Sequence, residues 1–214
     1  MQPSQATIEV VQPKRFTLGA VLIVSGYGLL LVLPLFSSFL LVSLLRFSFL
    51  TAALPLAVVA VTAFFLPFGL GNTHVARLVR ALNPSADSSG DGFVVQLTLS
   101  PRIRSGLRAI LEDADDIGYL TFTSAGLVFQ GDSVTVSLPY QRIEKVQSHN
   151  IGLRGLFVYG RRIKVVVSDW PEAEWLEFAE RSSWFLPASK RITRQLYERL
   201  AAKLPTGTNA AASN

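Results

Sequence analysis

Residues 118–131 read GYLTFTSAGLVFQG, and this stretch decides the architecture of the C-terminal two-thirds of the chain. Two short runs in which apolar and polar residues alternate stand on either side of Ser124, Ala125 and Gly126. A period of two puts successive side chains on opposite faces of a strand, and a short connection that contains glycine joins antiparallel neighbours. The stretch therefore predicts a β-hairpin.

The same period continues on both sides of this hairpin. The further segments that alternate are FVVQLTLS at 93–100, SVTVSL at 133–138, RIEKVQS at 142–148, LFVYG at 156–160, IKVVVS at 163–168 and EWLEFAE at 174–180. We expect Arg161 and Arg162 to form the turn between LFVYG and IKVVVS. Strands this short, spaced about ten residues apart, are typical of a small antiparallel barrel or sandwich.

The pattern changes to a helical one near the end of the chain. In PASKRITRQLYERLAAK, at 187–203, apolar residues recur every fourth position, at Ile192, Leu196 and Leu200. Such spacing gives a helix one apolar face, and a proline is favourable in the first turn. The sequence thus predicts about seven strands followed by one amphipathic helix.

These pieces together resemble the bacterial pleckstrin-homology-like (PH-like) and GRAM-like domains. The residues that carry the resemblance are G-Y-L-T-F-T at 118–123, G-L-V-F at 126–129, S-L-P-Y-x-x-I-x-x-V at 137–146, I-K-V-V-V at 163–167, W-L-E-F at 175–178 and the closing helix. The resemblance covers just over half of the chain and implies a partly open antiparallel barrel capped by a C-terminal helix. PRIRSGLRAILEDADD, at 101–116, departs from it, because this connection is longer than a hairpin needs and is predicted to carry a short helix.

The N-terminal third is almost entirely apolar. Residues 16–71 contain a single charged residue, Arg46, although charged residues make up 16% of the whole chain. A bilayer core about 30 Å thick requires roughly 20 apolar residues in a helix, so this length predicts two spans, at about Phe16–Phe36 and Phe49–Leu70. A helical hairpin embedded in a membrane is the expected structure.

The basic residues beside the predicted spans set the expected orientation. Four of them lie on the outer sides of the hairpin, and Arg46 alone lies between the spans; the four are Lys14, Arg15, Arg77 and Arg80. Because Lys and Arg concentrate on the cytoplasmic side, both termini are predicted to be cytoplasmic. With the family resemblance, this favours an integral protein of a bacterial inner membrane.

The predicted fold class is accordingly α+β, a two-helix transmembrane hairpin followed by a small antiparallel PH-like β-barrel capped by a C-terminal α-helix. Five segments follow: a cytoplasmic tail at 1–15, the transmembrane hairpin at 16–71, a juxtamembrane helix and linker at 72–92, the PH-like domain at 93–204 and a disordered tail at 205–214. The linker, SADSSGDG, is composed of small and polar residues that suit a tether.

Two sets of basic residues are candidate ligand sites. The first is Arg102, Arg104 and Arg108, because phosphate recognition needs several guanidinium groups that converge from one loop. The resemblance implies phosphate ligands in the corresponding loop of lipid-binding relatives. A solvated basic loop and a protein contact are the alternatives. The second set is predicted to contact a membrane surface, or else to be an ordinary soluble hairpin, and consists of Arg154, Arg161, Arg162 and Lys164.

The sequence offers little for catalysis, metals or nucleic acid. Cysteine is absent, only two histidines occur, and neither a nucleophile elbow nor a phosphate-binding glycine loop is present. The acidic run at 112–116 lacks the spacing of an EF-hand loop and is interpreted as surface charge. We therefore expect no enzymatic activity, no cofactor, no metal and no nucleic-acid partner.

Two functions remain open. The first is a non-enzymatic adaptor that presents its PH-like domain to a protein partner or to anionic membrane lipids. The second is a structural accessory subunit of a larger membrane protein complex, in contact with other membrane proteins. The aromatic residues of the last third, including Trp184 and Phe185, are expected in the core or at its edge, against the final helix. An exposed patch before Pro187 would instead indicate a partner surface.

Overall fold

The structure is a computed structural model of the chain. It describes residues 6–10, 36–40, 42–43, 53, 57, 69–82, 92–101, 103, 114–150, 161–204 and 209–212. Two helices within these residues are described as complete elements, α1 (Gly69–Leu82) and α2 (Leu186–Lys203). The strands are β1 (Thr7–Val10), β2 (Gly92–Ser100), β3 (Asp116–Phe122), β4 (Gly126–Gly131), β5 (Val134–Pro139), β6 (Ile143–Asn150), β7 (Arg161–Val167), β8 (Trp175–Glu180) and β9 (Asn209–Ala212).

The nine strands form one sheet in the order β1-β5-β4-β3-β2-β8-β7-β6-β9. All neighbours are antiparallel except β9, which runs parallel to β6. Consecutive strands from β2 to β5 are neighbours, and β8 returns to pair with β2, where Leu97 lies opposite Phe178. The chain therefore brings the start and the end of the domain together at the centre of the sheet.

One face of the sheet carries the main core, and α2 covers it. Leu196 and Leu200 of α2 are buried among apolar side chains of the central strands, such as Leu97 and Phe178. The ring centroids of Phe129 and Phe178 lie 6.4 Å apart in this core. The apolar spacing of α2 and the alternation of the strands thus meet on a single face, as their periods require.

The opposite face of the sheet carries a smaller apolar cluster under α1. Val75, Ala76 and Val79 of this helix pack on Val94 and Tyr119. Since side chains alternate along a strand, Val94 and Tyr119 point away from the main core, whereas Val95 and Leu120 point into it. The sheet is therefore sandwiched between two helices.

The hairpin formed by β3 and β4 depends on its glycines and on Thr123. A Cβ atom on Gly118 would lie 2.2 Å from the carbonyl oxygen of Gln130, and one on Gly126 would lie 2.2 Å from that of Leu138. Both obstacles are backbone atoms, which cannot rotate away. The Thr123 hydroxyl donates to the carbonyl of Gly126 and accepts from its amide, at 2.8 and 3.0 Å. These positions require glycine because neighbouring strands approach closely.

The predicted transmembrane hairpin is contradicted. Within the part of the chain that the structure describes, no helix is long and apolar enough to cross a membrane. α1 has 14 residues, and α2 has 18 but carries charged residues along its length. The integral-membrane localisation falls with the predicted hairpin, and most of both predicted spans lies outside the described residues.

The predicted small barrel is also wrong. The strands form an open sheet that ends in β1 on one side and β9 on the other. These two strands lie within the segments predicted to be terminal tails, and their four residues each are too short for a pattern of period two to stand out. The expected fold class is thus replaced, in the part of the chain that the structure describes, by a nine-stranded, mostly antiparallel sheet with helices on its faces.

One predicted turn falls inside a strand. Arg161 and Arg162 belong to β7, where they pair with Asn150 and His149 of β6. The predicted strand at 156–160 lies outside the described residues, and of the connection between β2 and β3, which was predicted to carry a short helix, only 101, 103 and 114–116 are described. α1 ends at Leu82, just before Asn83 and Pro84, and a proline disfavours helical geometry in the residue that precedes it.

Candidate functional site

The first predicted basic set, Arg102, Arg104 and Arg108, lies outside the described residues. The structure does describe both ends of the segment that carries it. Ile103 is exposed, and the amide of Asp115 donates to the carbonyl of Leu97 at 2.8 Å. In return, a carboxylate oxygen of Asp115 accepts from the amide of Leu99 at 2.8 Å. The segment therefore leaves and rejoins the sheet on neighbouring strands.

Two residues of the acidic run are buried, which contradicts their interpretation as surface charge. Asp115 and Asp116 are each 1% exposed. One carboxylate oxygen of Asp116 accepts from the amides of Ser133 and Val134, at 2.8 and 2.7 Å. Backbone amides at the β4–β5 turn are thus satisfied by a side chain from β3. These aspartates stabilise strand ends.

The second predicted basic set is dispersed. Arg154 lies outside the described residues, and Arg161 is exposed. Arg162 is 3% exposed and forms an ion pair with the buried carboxylate of Glu177, whose other oxygen lies 3.2 Å from Nε2 of His149. The Lys164 ammonium lies 4.5 Å from the centroid of the Trp175 ring. Arg162 is therefore part of the internal structure of the sheet face rather than of a membrane contact.

An exposed aromatic pair stands in the connection between β8 and α2. We call residues 181–185, which read RSSWF, the aromatic loop. Trp184 is 51% exposed and Phe185 is 39% exposed, and their ring centroids lie 6.0 Å apart. The other two tryptophans differ, since Trp170 is buried and Trp175 is partly buried. Trp184 and Phe185 are thus exposed rather than part of the core, and they precede Pro187, where an exposed patch indicates a partner surface.

The carboxylate of Glu180, at the end of β8, fixes the start of the aromatic loop. One of its oxygens accepts from the amide and hydroxyl of Ser182 and, at 2.9 Å, from the amide of Ser183. The other accepts from the hydroxyl of Ser189 in the first turn of α2. A buried acceptor with several donors holds backbone firmly because each bond lost would leave a desolvated charge.

Arg181 connects the aromatic loop to α1. Its Nε donates to the side chain of Gln96 at 2.8 Å, and one of its terminal nitrogens donates to the side-chain oxygen of Asn72 at 3.0 Å. The Asn72 amide nitrogen in turn donates to the carbonyl of Ser183 at 2.8 Å. A chain of hydrogen bonds therefore joins β2, the loop and the first turn of α1, and it fixes the backbone immediately before the two aromatic residues.

The hydrogen bonds of the loop were not foreseen from the sequence. Glu180 and Arg181 follow an apolar strand and precede two serines, a pattern that reads as an ordinary exposed turn. Asn72 lies 109 positions from Arg181, so no local pattern could pair them. The only local signal was the run Trp184-Phe185 before Pro187.

A second buried polar group lies at the β3–β4 turn. The Tyr140 hydroxyl donates to the carbonyl of Thr123 at 3.1 Å. Burial raises the pKa of this phenol above its ordinary value, since the phenolate would have to be desolvated. The group serves as a neutral donor that joins the Leu-Pro-Tyr segment to the hairpin.

Neither the comparison with protein families nor the comparison with curated proteins finds a match for this chain. Among the described residues, no group of three or more histidine, aspartate or glutamate side chains is placed to hold a metal ion. The geometry of the aromatic loop is therefore the principal guide to function.

Proposed function

We propose that this chain is a non-enzymatic recognition module that binds a protein partner through the aromatic loop. The observation that carries the proposal is the exposure of two adjacent aromatic rings on a backbone fixed by buried hydrogen bonds. Tryptophan and other aromatic residues are enriched where protein partners meet, and Trp often contributes much of the binding energy.

The fixed backbone matters as much as the exposed rings. A loop whose backbone is already fixed loses less conformational entropy when a partner binds, so less of the binding free energy is spent on ordering it. Glu180 and Arg181 supply this order from beneath the loop through the bonds to Ser183 and Asn72. The aromatic pair has the position and the rigidity of a preformed anchor.

The relation to PH-like and GRAM-like domains remains part of this proposal. It is supported by an antiparallel run of seven strands, β5-β4-β3-β2-β8-β7-β6, followed in sequence by a single helix that covers the core face. Such a fold hosts binding to many kinds of ligand, so the function has to be inferred from the site.

Affinity capture with three forms of the full-length chain tests the proposal. These are the wild type, the double variant Trp184→Ser/Phe185→Ser, and Ile103→Ser, which removes another exposed apolar side chain. We expect at least one protein whose capture is retained by Ile103→Ser and reduced at least about tenfold by the double variant, as for loss of a binding hot spot. Titration of each form with that purified protein, monitored by tryptophan fluorescence, should show the same difference in affinity between Ile103→Ser and the double variant.

Three outcomes would contradict the proposal. One is capture of the same proteins, in the same amounts, by all three forms. Another is binding to vesicles of anionic phospholipid, but to no protein, that survives the double variant; it would favour the predicted lipid ligand. The third is co-migration with other chains at a constant ratio that neither variant changes, which would favour an accessory subunit. Thermal unfolding of each variant provides the control for folding.

A further inference from the structure

β1 occupies one outer edge of the sheet. Its residues pair with β5 in antiparallel register, Ile8 opposite Val136 and Glu9 opposite Thr135. On its other side β5 pairs with β4 along most of its length. Without β1, the backbone donors and acceptors on one side of β5 would therefore form the edge of the sheet.

Among the described residues, β1 packs few side chains on the core. It has four residues, and the side chains that pack on the main core are Ile8 and, just before the strand, Ala6, both only partly buried. Thr7, Glu9 and Val10 are exposed. In contrast, Val134, Val136 and Leu138 of β5 are at most 2% exposed. β5 thus belongs to the core, whereas β1 is an addition to it.

We propose that the outer edge of β5 is a binding site for an extended peptide segment of another protein, and that β1 fills this site within the same chain. Added strands are held mainly by backbone hydrogen bonds, and the side chains at alternate positions give specificity. The fitting segment has apolar residues of the size of Ala6 and Ile8 two positions apart, polar residues between them, and no proline. This segment has no strand partner before it binds.

The site is separate from the aromatic loop. In the sheet, β5 is separated from β8 by β4, β3 and β2. A partner that binds at β5 has to displace β1, which is tethered and competes at an effectively high concentration. The apparent affinity of the wild-type chain is therefore lowered by the fraction of time that β1 occupies the edge.

A labelled peptide with the sequence of residues 5–12, QATIEVVQ, is the probe. Its fluorescence anisotropy is measured against full-length wild type, Ile8→Asp and Thr7→Asp. Ile8→Asp places a charge against the core and releases β1, whereas Thr7→Asp introduces the same residue on the exposed side of the strand. We expect Ile8→Asp to bind the peptide at least about tenfold more tightly than the other two forms. A peptide that carries Ile8→Asp should bind none of them.

Several results would overturn the proposal. One is the absence of peptide binding by an Ile8→Asp chain that still unfolds cooperatively on heating. Loss of that cooperative transition would show that β1 is required for the fold and is not an occupant of a site. A dimer of the wild type in light scattering that Ile8→Asp converts to a monomer would show that the edge serves exchange of β1 between two copies.

Discussion

At the scale of single residues, we expect buried charged side chains on the sheet to contribute more to stability than exposed ones. Glu177 lies between Arg162 and His149 on the face of the sheet opposite the main core, and its side chain is 9% exposed. The sequence predicted Arg162 in a turn between two strands, with a membrane contact or an ordinary soluble hairpin as the alternatives. Alternation along β7 instead directs Arg161 outwards and Arg162 towards Glu177.

This ion pair gives a prediction about stability. Arg162→Met removes one partner and leaves the Glu177 carboxylate buried, so we expect the free energy of unfolding to fall by about 3–5 kcal/mol. Arg194→Met is the matched control, since Arg194 pairs with Glu198 on the exposed surface of α2 at 2.8 Å. An exposed pair of this kind contributes about 0.3–0.5 kcal/mol. Urea denaturation measures both, and equal losses in the two variants would contradict the internal role of Arg162.

The buried phenol of Tyr140 gives a prediction about pH. Its pKa is raised by desolvation above the ordinary value of about 10, so the folded state retains the proton more strongly than the unfolded state. The stability it contributes is fully present below pH about 10 and is lost as the pH rises through the higher pKa of the folded state. Tyrosinate absorbance is followed during an alkaline titration of the wild type and of Tyr140→Phe. The difference between the two curves should be that of one phenol whose pKa lies above its ordinary value. A difference curve with the ordinary pKa would contradict the prediction.

At the scale of elements, the strands that alternate over six or more residues could be placed from the sequence. β2, β3 and β5 are examples, because alternation and burial on one face have a common cause. β1 and β9 were not predicted, because four residues are too few to show a period of two and because tertiary contacts determine which strands they pair with. The sequence showed the two glycines of the β3–β4 hairpin but not why glycine is required there, which is that a Cβ atom would lie 2.2 Å from a backbone oxygen.

The candidate site was predictable only in part. An exposed Trp184-Phe185 pair could be suspected because a proline and a helix follow it closely. The hydrogen bonds that fix the pair could not, because they join Asn72, Gln96 and Arg181, which are distant in sequence. The apolar N-terminal third predicted two spanning helices, whereas no helix among the described residues is long and apolar enough to cross a membrane.

At the scale of the whole molecule, the two helices on opposite faces of the sheet differ in how much apolar core they cover. α2 contributes Leu196 and Leu200 to the main core, which extends across the central strands. Among the described residues, α1 covers a smaller apolar cluster, and Asn72 joins it to the aromatic loop. Local stability follows the number of buried apolar contacts, so α1 is the helix that can detach while the sheet remains folded.

The same charged residue placed under each helix tests this difference. Val79 and Leu200 are each 1% exposed, in the small cluster and the main core respectively. We expect Leu200→Asp to abolish the folded state, because an unpaired buried charge in the main core has no way to reach water. Val79→Asp should detach α1 and accelerate amide hydrogen exchange in Gly69–Leu82 and in the aromatic loop, while β2, β3 and β8 remain protected. Hydrogen exchange followed by mass spectrometry separates these cases. Uniform loss of protection in Val79→Asp would mean that sheet and helix α1 fold as one unit, and the aromatic loop would then owe its order to the whole domain rather than to α1.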